Sequence, residues 1–269
     1  MRSRAVAAVK DSAAALERLR PLMPQPLRIH LHSARELGAK RTEETDDRPL
    51  ATGLPLDRLL EGGLPRGRMV EVVGGRSSGR FAAALAVLAA VTGAGEAAAL
   101  VDLGDGLDPE SAAELGIDLA RLLWVRPANL PQALASAEAL VGGGFPAVVV
   151  DLGSPPVRGR NAEAPWLRLA RAARAHGCAL WIGSPYRISG TAAAAVLRME
   201  RTSPAWDQDG ACRLLAGITS EVVLEKLRGQ GVRRTETLQL RLEDPRVRLG
   251  IAPSERSNDE EEILRSATG

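Results

Sequence analysis

The sequence predicts an α/β fold: a mainly parallel twisted sheet flanked by helices, ending in antiparallel strands. Three observations predict it. Short apolar runs (MVEVV, AAALVDL, FPAVVVDL, CALWIGSP) alternate with helical patterns, the order of right-handed crossovers between parallel strands. The stretch from Met69 to Leu85, MVEVVGGRSSGRFAAAL, reads as strand, Gly/Ser loop and Ala-rich helix, the order of a phosphate-binding loop. The closing segments SEVVLEKLRGQGVRRTETLQLRLED and RVRLGIAP read as antiparallel strands around a Gly-Gln-Gly turn.

Taken in order, residues 5–20 place Val6, Val9, Ala13, Leu16 and Leu19 at helical spacing until Pro21 stops the run. LRIHLH then alternates like a short strand, and Gly38 to Pro49 is polar and charge-mixed, as a linker is. Residues 1–49 are therefore an arm outside the core, with an amphipathic helix suited to packing on a neighbour or on its own domain. The core spans 50–252. It opens with turn residues around a short helix from Leu56 to Leu60, then the strand and loop just described and a helix at 81–92. Strands ending at Asp102 and Asp151 follow, with LLWVRP between them and helices at DPESAAELG and from Leu130 to Val141. The helix Pro165 to His176 and the strand CALWIGSP complete the alternating part. Residues 253–269 carry the run Asp259 to Glu262 and form an acidic tail.

A chain of 269 residues with 45% apolar content can bury a sizeable core. Its formal charge is +2 with signs mixed along the chain, so no global field points to nucleic acid or membrane, and any DNA contact is local. Only Lys10, Lys40 and Lys226 are lysine among 35 basic residues, which shows an arginine bias. Cys178 and Cys212 lack CxxC-type spacing, and neither a signal peptide nor a long uncharged apolar run is present, so a reducing cytoplasm fits. His30 and His32 share one strand face without a nearby third ligand, so no metal is expected.

Gly74 and Gly79 keep the spacing that lets backbone N–H groups and a helix N-terminus cradle phosphate. The next two positions do not keep its chemistry. A working loop has lysine followed by Ser or Thr for magnesium; this chain has Arg80 and Phe81.

LATGLPLDRLLEGGLPRGRMVEVVGGRSSGR, LVDLGDGLDPESAAELGIDLARLLWVRP, FPAVVVDL and LWIGSPYRISG resemble, in that order and spacing, the RecA recombinase core over about residues 50–250. Within that superfamily the length, the LPRG segment, the degenerate loop and the lack of a RecA-type C-terminal domain look most like the ImuA group of accessory proteins. Carried over by position, the resemblance puts the loop lysine on Arg80 and the magnesium hydroxyl on Phe81. The strand after the loop helix keeps Asp102, but the glutamate two positions later, which activates water in the family, falls on Gly104. Asp105 beside it is shorter and shifted. The adenine-stacking tyrosine falls on Ser111 and the phosphate-sensing glutamine on Ser184. Asp108, which would face the base, and Asp151, the magnesium-side carboxylate, survive. The resemblance thus implies a protein inactive as an ATPase and without a cofactor, with Phe81 filling the space of magnesium and phosphate. Weak ATP binding through backbone N–H groups and Arg80 stays open.

The family's DNA-facing loops correspond to about 153–163, with Arg158 and Arg160, and about 189–209, with Arg198 and Arg201. Arg168, Arg171 and Arg174 add cations along one helix side, while Tyr186 and Trp206 are the only aromatics nearby; Trp124, Trp166 and Trp181 sit in apolar runs and read as core. The resemblance implies an adaptor in damage-induced mutagenesis that joins an ImuB-like protein, an error-prone polymerase and RecA, cytoplasmic and on the nucleoid after damage. Val6, Val9, Leu16 and Leu19 are its candidate partner contacts. A divergent DNA-dependent ATPase and a SulA-like cell-division inhibitor are the alternatives.

Overall fold

A computed structural model describes residues 48–153, 163–209, 212–243 and 248–251; for Arg201, Gln208, Asp209, Cys212, Leu214, 241–243 and 248–251 it describes the backbone alone. The amphipathic arm with Val6, Val9, Leu16 and Leu19, the histidines 30 and 32, Arg158, Arg160 and the acidic tail lie outside the described residues.

The short helix α1 (Leu56–Leu59) leads into β1 (Met69–Val73) and helix α2 (Arg80–Gly93). Then follow β2 (Ala98–Asp102), α3 (Pro109–Glu114), β3 (Leu122–Val125), α4 (Leu130–Gly142), β4 (Ala147–Asp151), α5 (Glu163–Ala175) and β5 (Ala179–Ser184). Four more strands follow among the described residues: β6 (Ala195–Asp209), β7 (Cys212–Leu227), β8 (Gln230–Glu243) and β9 (Arg248–Ile251). They form one nine-stranded sheet in the order β3-β2-β4-β5-β1-β6-β7-β8-β9. Pairing is parallel from β3 to β6 and antiparallel from β6 to β9, as the sequence pattern predicts.

Every residue of β1, β2, β4 and β5 is buried, which is why these strands read as continuous apolar runs. One core joins α1 and α2 to one face, with Val70, Val72 and Leu100. The other joins α4 and α5 to the opposite face, with Val148, Val150, Trp166 and Leu180. Helix α2 is Ala-rich because it is covered nearly all round: Ala83, Val87 and Leu88 are fully buried. Helix α4 begins in a reciprocal cap, Asn129 accepting from the Gln132 N–H and Gln132 accepting from the Ala128 N–H.

Two readings need correction. Residues 195–209 are not a DNA-facing loop but the long strand β6, so Arg198 and Arg201 lie in a ladder. The run of alanines has no strand periodicity, and Pro204 argues against a strand. The structure accommodates Pro204 beyond Arg198, the last β6 residue paired with β1, between register shifts at Glu200/Ser203 and Ala205/Trp206. Trp124 is core only in part: it packs against the α1/α2 core but is half-buried on the edge strand β3, with the Arg126 guanidinium 4.9 Å from its ring centre.

The connection from β5 to β6 is pinned rather than free. Glu71, fully buried in β1, accepts from the backbone N–H groups of Ile188 (2.6 Å) and Ser189 (3.1 Å) and from the Ser189 hydroxyl (2.5 Å). Glu163 accepts from the N–H and hydroxyl of Thr191, and Lys226 donates to the Thr191 carbonyl. Glu71→Ala would strand two buried N–H groups, each worth about 1–3 kcal/mol when left unpaired. A urea titration of that variant should show a lower midpoint at unchanged slope, a stability loss of about 2–6 kcal/mol, with Glu71→Gln losing less.

Candidate functional site

The ends of β1, β2, β4 and β5 converge where the phosphate-type loop, residues 74–79, turns into α2. The loop's glycines are explained by the turn itself. A Cβ on Gly74 would lie 2.3 Å from the Ser78 hydroxyl. Gly79 has φ +83°, and a Cβ there would lie 3.1–3.2 Å from Ile218, Leu240 and the Ser220 hydroxyl. Strands β7 and β8 therefore press directly on the loop, and Ser220 donates to the Ser78 carbonyl at 2.7 Å.

Arg80 points inward and is buried, at 6% exposure. Its Nε donates to Asp151 Oδ1 (3.2 Å), Nη1 to the Gly74 carbonyl (2.7 Å) and Nη2 to the Gly153 carbonyl (2.8 Å). Asp151 is buried too, and its Oδ2 accepts from the Gly153 N–H at 2.9 Å. Burial pushes the Asp151 carboxyl up, against the downward pull of the Arg80 charge and the Gly153 hydrogen bond. The expectation that Phe81 fills the phosphate space is corrected here. Phe81 is half-buried and packs on the α1/α2 core and beside Gly106; the guanidinium of Arg80 is the group that lies among the loop, β4 and Gly153. A long planar cation reaches the carboxylate of the neighbouring strands, whereas the aromatic one position later faces the other way around the helix.

Asp102 stands opposite Asp151 in the β2/β4 register. Its Oδ2 accepts from the Leu107 N–H (2.9 Å) and the Trp124 indole (3.3 Å), while Oδ1 is buried and has no hydrogen-bond partner among the described residues. Gly104, at the position of the water-activating glutamate, has no room for a side chain: a Cβ would lie 2.7 Å from the Gly153 Cα. Asp105 takes a left-handed φ of 51° and points to Arg126, which donates to it twice, at 2.5 and 2.6 Å. The Arg126 hydrogen bonds hold the exposed Asp105 carboxyl below the usual carboxylate range, which weakens it as a base.

The remaining positions serve local structure. Asp108 does not face a base site; it caps α3, accepting from the N–H (2.9 Å) and hydroxyl (2.6 Å) of Ser111. These bonds keep its carboxyl low. Ser184 is buried and donates to the Tyr186 carbonyl, and its own carbonyl accepts from Gly74 N–H, so it closes a turn. Arg198 bridges Glu225 (2.5 Å) and Glu200 (3.5 Å), and Arg168 binds Glu138. Neither presents a free cation to phosphate. Sequence reasoning missed Glu71, Gly153 and Gly183: a Cβ on Gly183 would lie 2.7 Å from Asp151 Oδ1. A glutamate within the apolar run of β1 was the available signal for the first; the glycines gave none.

Residues 32–155 match the RecA N-terminal domain. The fold is RecA-like. RecA of Caulobacter vibrioides is 45% identical over 120 residues, 44% of this chain and 33% of that one. RecA of Clostridium acetobutylicum is 46% identical over 105 residues, 38% of this chain and 30% of that one. The chain thus spans about a third of the length of these curated relatives. The crystal structure of the RadB recombinase superposes with a TM-score of 0.53 at 20% identity, covering 71% of this chain and 96% of that chain, a likeness of fold. Among the described residues no helix is long and apolar enough to cross a membrane.

Two outcomes test the site. Gly104→Glu should give no ATP hydrolysis and should lower stability by about 1–3 kcal/mol through overpacking against Gly153, read by steady-state ATPase assay and denaturant titration. By carboxyl NMR, Asp105 should titrate below the unfolded value of about 3.9. Its pairing with Arg126 is complete above that value and is lost as pH falls through the lower folded one. Arg126→Ala should move the midpoint back up.

Proposed function

We propose that this protein is a non-catalytic, RecA-like accessory protein of damage-induced mutagenesis, of the ImuA kind. In this reading it joins an ImuB-like protein, an error-prone polymerase and RecA. One observation carries the non-catalytic part: Arg80 occupies the cation position of the loop with its donors directed to Gly74, Asp151 and Gly153. A cation so held is not free to follow charge developing on a transferred phosphoryl group, which is where such catalysis gains its rate. Gly104 without room for a base and Asp105 held by Arg126 support the same reading.

The adaptor part is supported by the relation to RecA and by exposed apolar side chains. Trp206 and Leu215 stand opposite each other on β6 and β7 and are about half exposed, with Arg213 over the indole at 5.4 Å. Trp, Arg and large apolar residues are the types that anchor protein interfaces. With the β5–β6 connection pinned and Arg198 ion-paired, protein contacts are favoured over a direct grip on DNA along this side of the core.

The purified full chain should hydrolyse ATP no faster than buffer with or without single-stranded DNA, and should co-purify with an ImuB-like protein and with RecA at equal yield in the presence or absence of ATP and magnesium. ATPase activity that Asp151→Ala abolishes would replace the adaptor with a divergent DNA-dependent ATPase. Selective capture of the cell-division GTPase, as a SulA-like inhibitor would show, would also overturn it.

A further inference from the structure

We infer that Arg80 is a resident cation clamp: it joins the phosphate-type loop, β4 and the chain leaving β4 at Gly153 into one arrangement that no nucleotide alters. The inference deepens the non-catalytic reading, since both rest on the same three hydrogen bonds, and stands apart from the adaptor role.

Two stretches distant in sequence meet on one guanidinium. Gly74 opens the loop after β1, while Asp151 ends β4 and Gly153, two residues on, begins the connection toward α5; each presents an oxygen to a different nitrogen of Arg80, at 2.7 to 3.2 Å. The planar fork spreads its donors over a fixed geometry that the single nitrogen of lysine does not reproduce. An arginine supplied merely by coding bias would have no reason to find all three acceptors, since a buried cation left short of partners is strongly destabilising.

The surroundings are fitted to the clamp. Gly183 on β5 leaves the space that Asp151 and Arg80 use: a Cβ there would lie 2.7 Å from Asp151 Oδ1 and 3.4 Å from Arg80 Nε. Gly104 lets the chain after β2 close on Gly153. Asp151 holds Gly153 a second time through its N–H, and Ser220 fixes the far side of the loop through the Ser78 carbonyl. The carbonyls of Gly74 and Ser78 and both backbone groups of Gly153 are thus already tied to side chains of this chain, and the cation under the loop already faces Asp151, so a phosphate gains little from Arg80 with which to shift them.

Native-state hydrogen exchange on the full chain reads the clamp directly. In the wild type, amides of Leu152 and Gly153 and of the loop at 74–79 should exchange at the same rate with and without magnesium ATP. Arg80→Lys should raise exchange at Gly153 at least tenfold, while Val222 to Leu224, away from the clamp in β7, keep their protection. Gly183→Ala, which removes no polar group, should move the same amides in the same direction and decides the matter should the lysine variant fail to fold. Unchanged Gly153 exchange in the folded variants, or a wild-type response to nucleotide, overturns the clamp. Failure to bind an ImuB-like protein or RecA would overturn the adaptor and leave the clamp untouched.

Discussion

A guanidinium taken out of water is tolerated where its donors end on acceptors and an opposite charge lies within reach. Around Arg80 that requirement fixes the end of the sheet. Asp151 must terminate β4 at the level where β1 turns into the loop, Gly153 must bring its carbonyl back over the arginine, and positions 104 and 183 must be glycine so that neighbouring chain does not intrude. The parallel register places these groups: β4 lies between β2 and β5, with Asp151 level with Asp102 on one side and Gly183 on the other. The charge pair depends on the fold for its enclosure, and the loop depends on the charge pair for its shape.

Most of the fold was legible because its signals are local. Fully buried parallel strands leave uninterrupted apolar runs, Gly and Pro mark the turns between them, and the hairpin at Arg228–Gly229 carries its own turn chemistry. What escaped was set by partners distant in sequence. Strand β6 follows a run of alanines and contains Pro204, and becomes a strand because β1 and β7 supply ladders on its two sides. Trp124 reads as core in a run of apolar residues, yet β3 is the edge of the sheet, which no property of LLWV announces.

The candidate site divides the same way. The losses were readable one position at a time, because each is a missing functional group: no hydroxyl at Phe81, no carboxylate at Gly104. What took their place was readable only as alternatives, with Phe81 in apolar packing and Arg80 either on a carboxylate such as Asp102 or Asp151 or facing solvent, since the choice depends on directions in space. Positions 80 and 81 differ by about 100° around a helix. One therefore turns under the loop toward Asp151 while the other faces Gly106 and the apolar core. Likewise Asp108 looked like a ligand contact and is a helix cap, because a short polar side chain ahead of a helix satisfies the nearest free N–H before any distant group.

The glycine loop itself then needs a different reason to exist from the one its sequence suggests. In a nucleotide site the glycines bring backbone close to phosphate. In this chain the same residues bring backbone close to protein: Gly74 to Ser78, and Gly79 to Ile218, Ser220 and Leu240 of the antiparallel strands. A left-handed Gly79 makes the strand-to-helix turn, and the pressure of β7 and β8 on it makes any Cβ there costly whether or not phosphate ever binds. Retention of the loop's glycines is thus compatible with loss of its chemistry, because the turn and the packing require them independently of the lysine, the hydroxyl and the base.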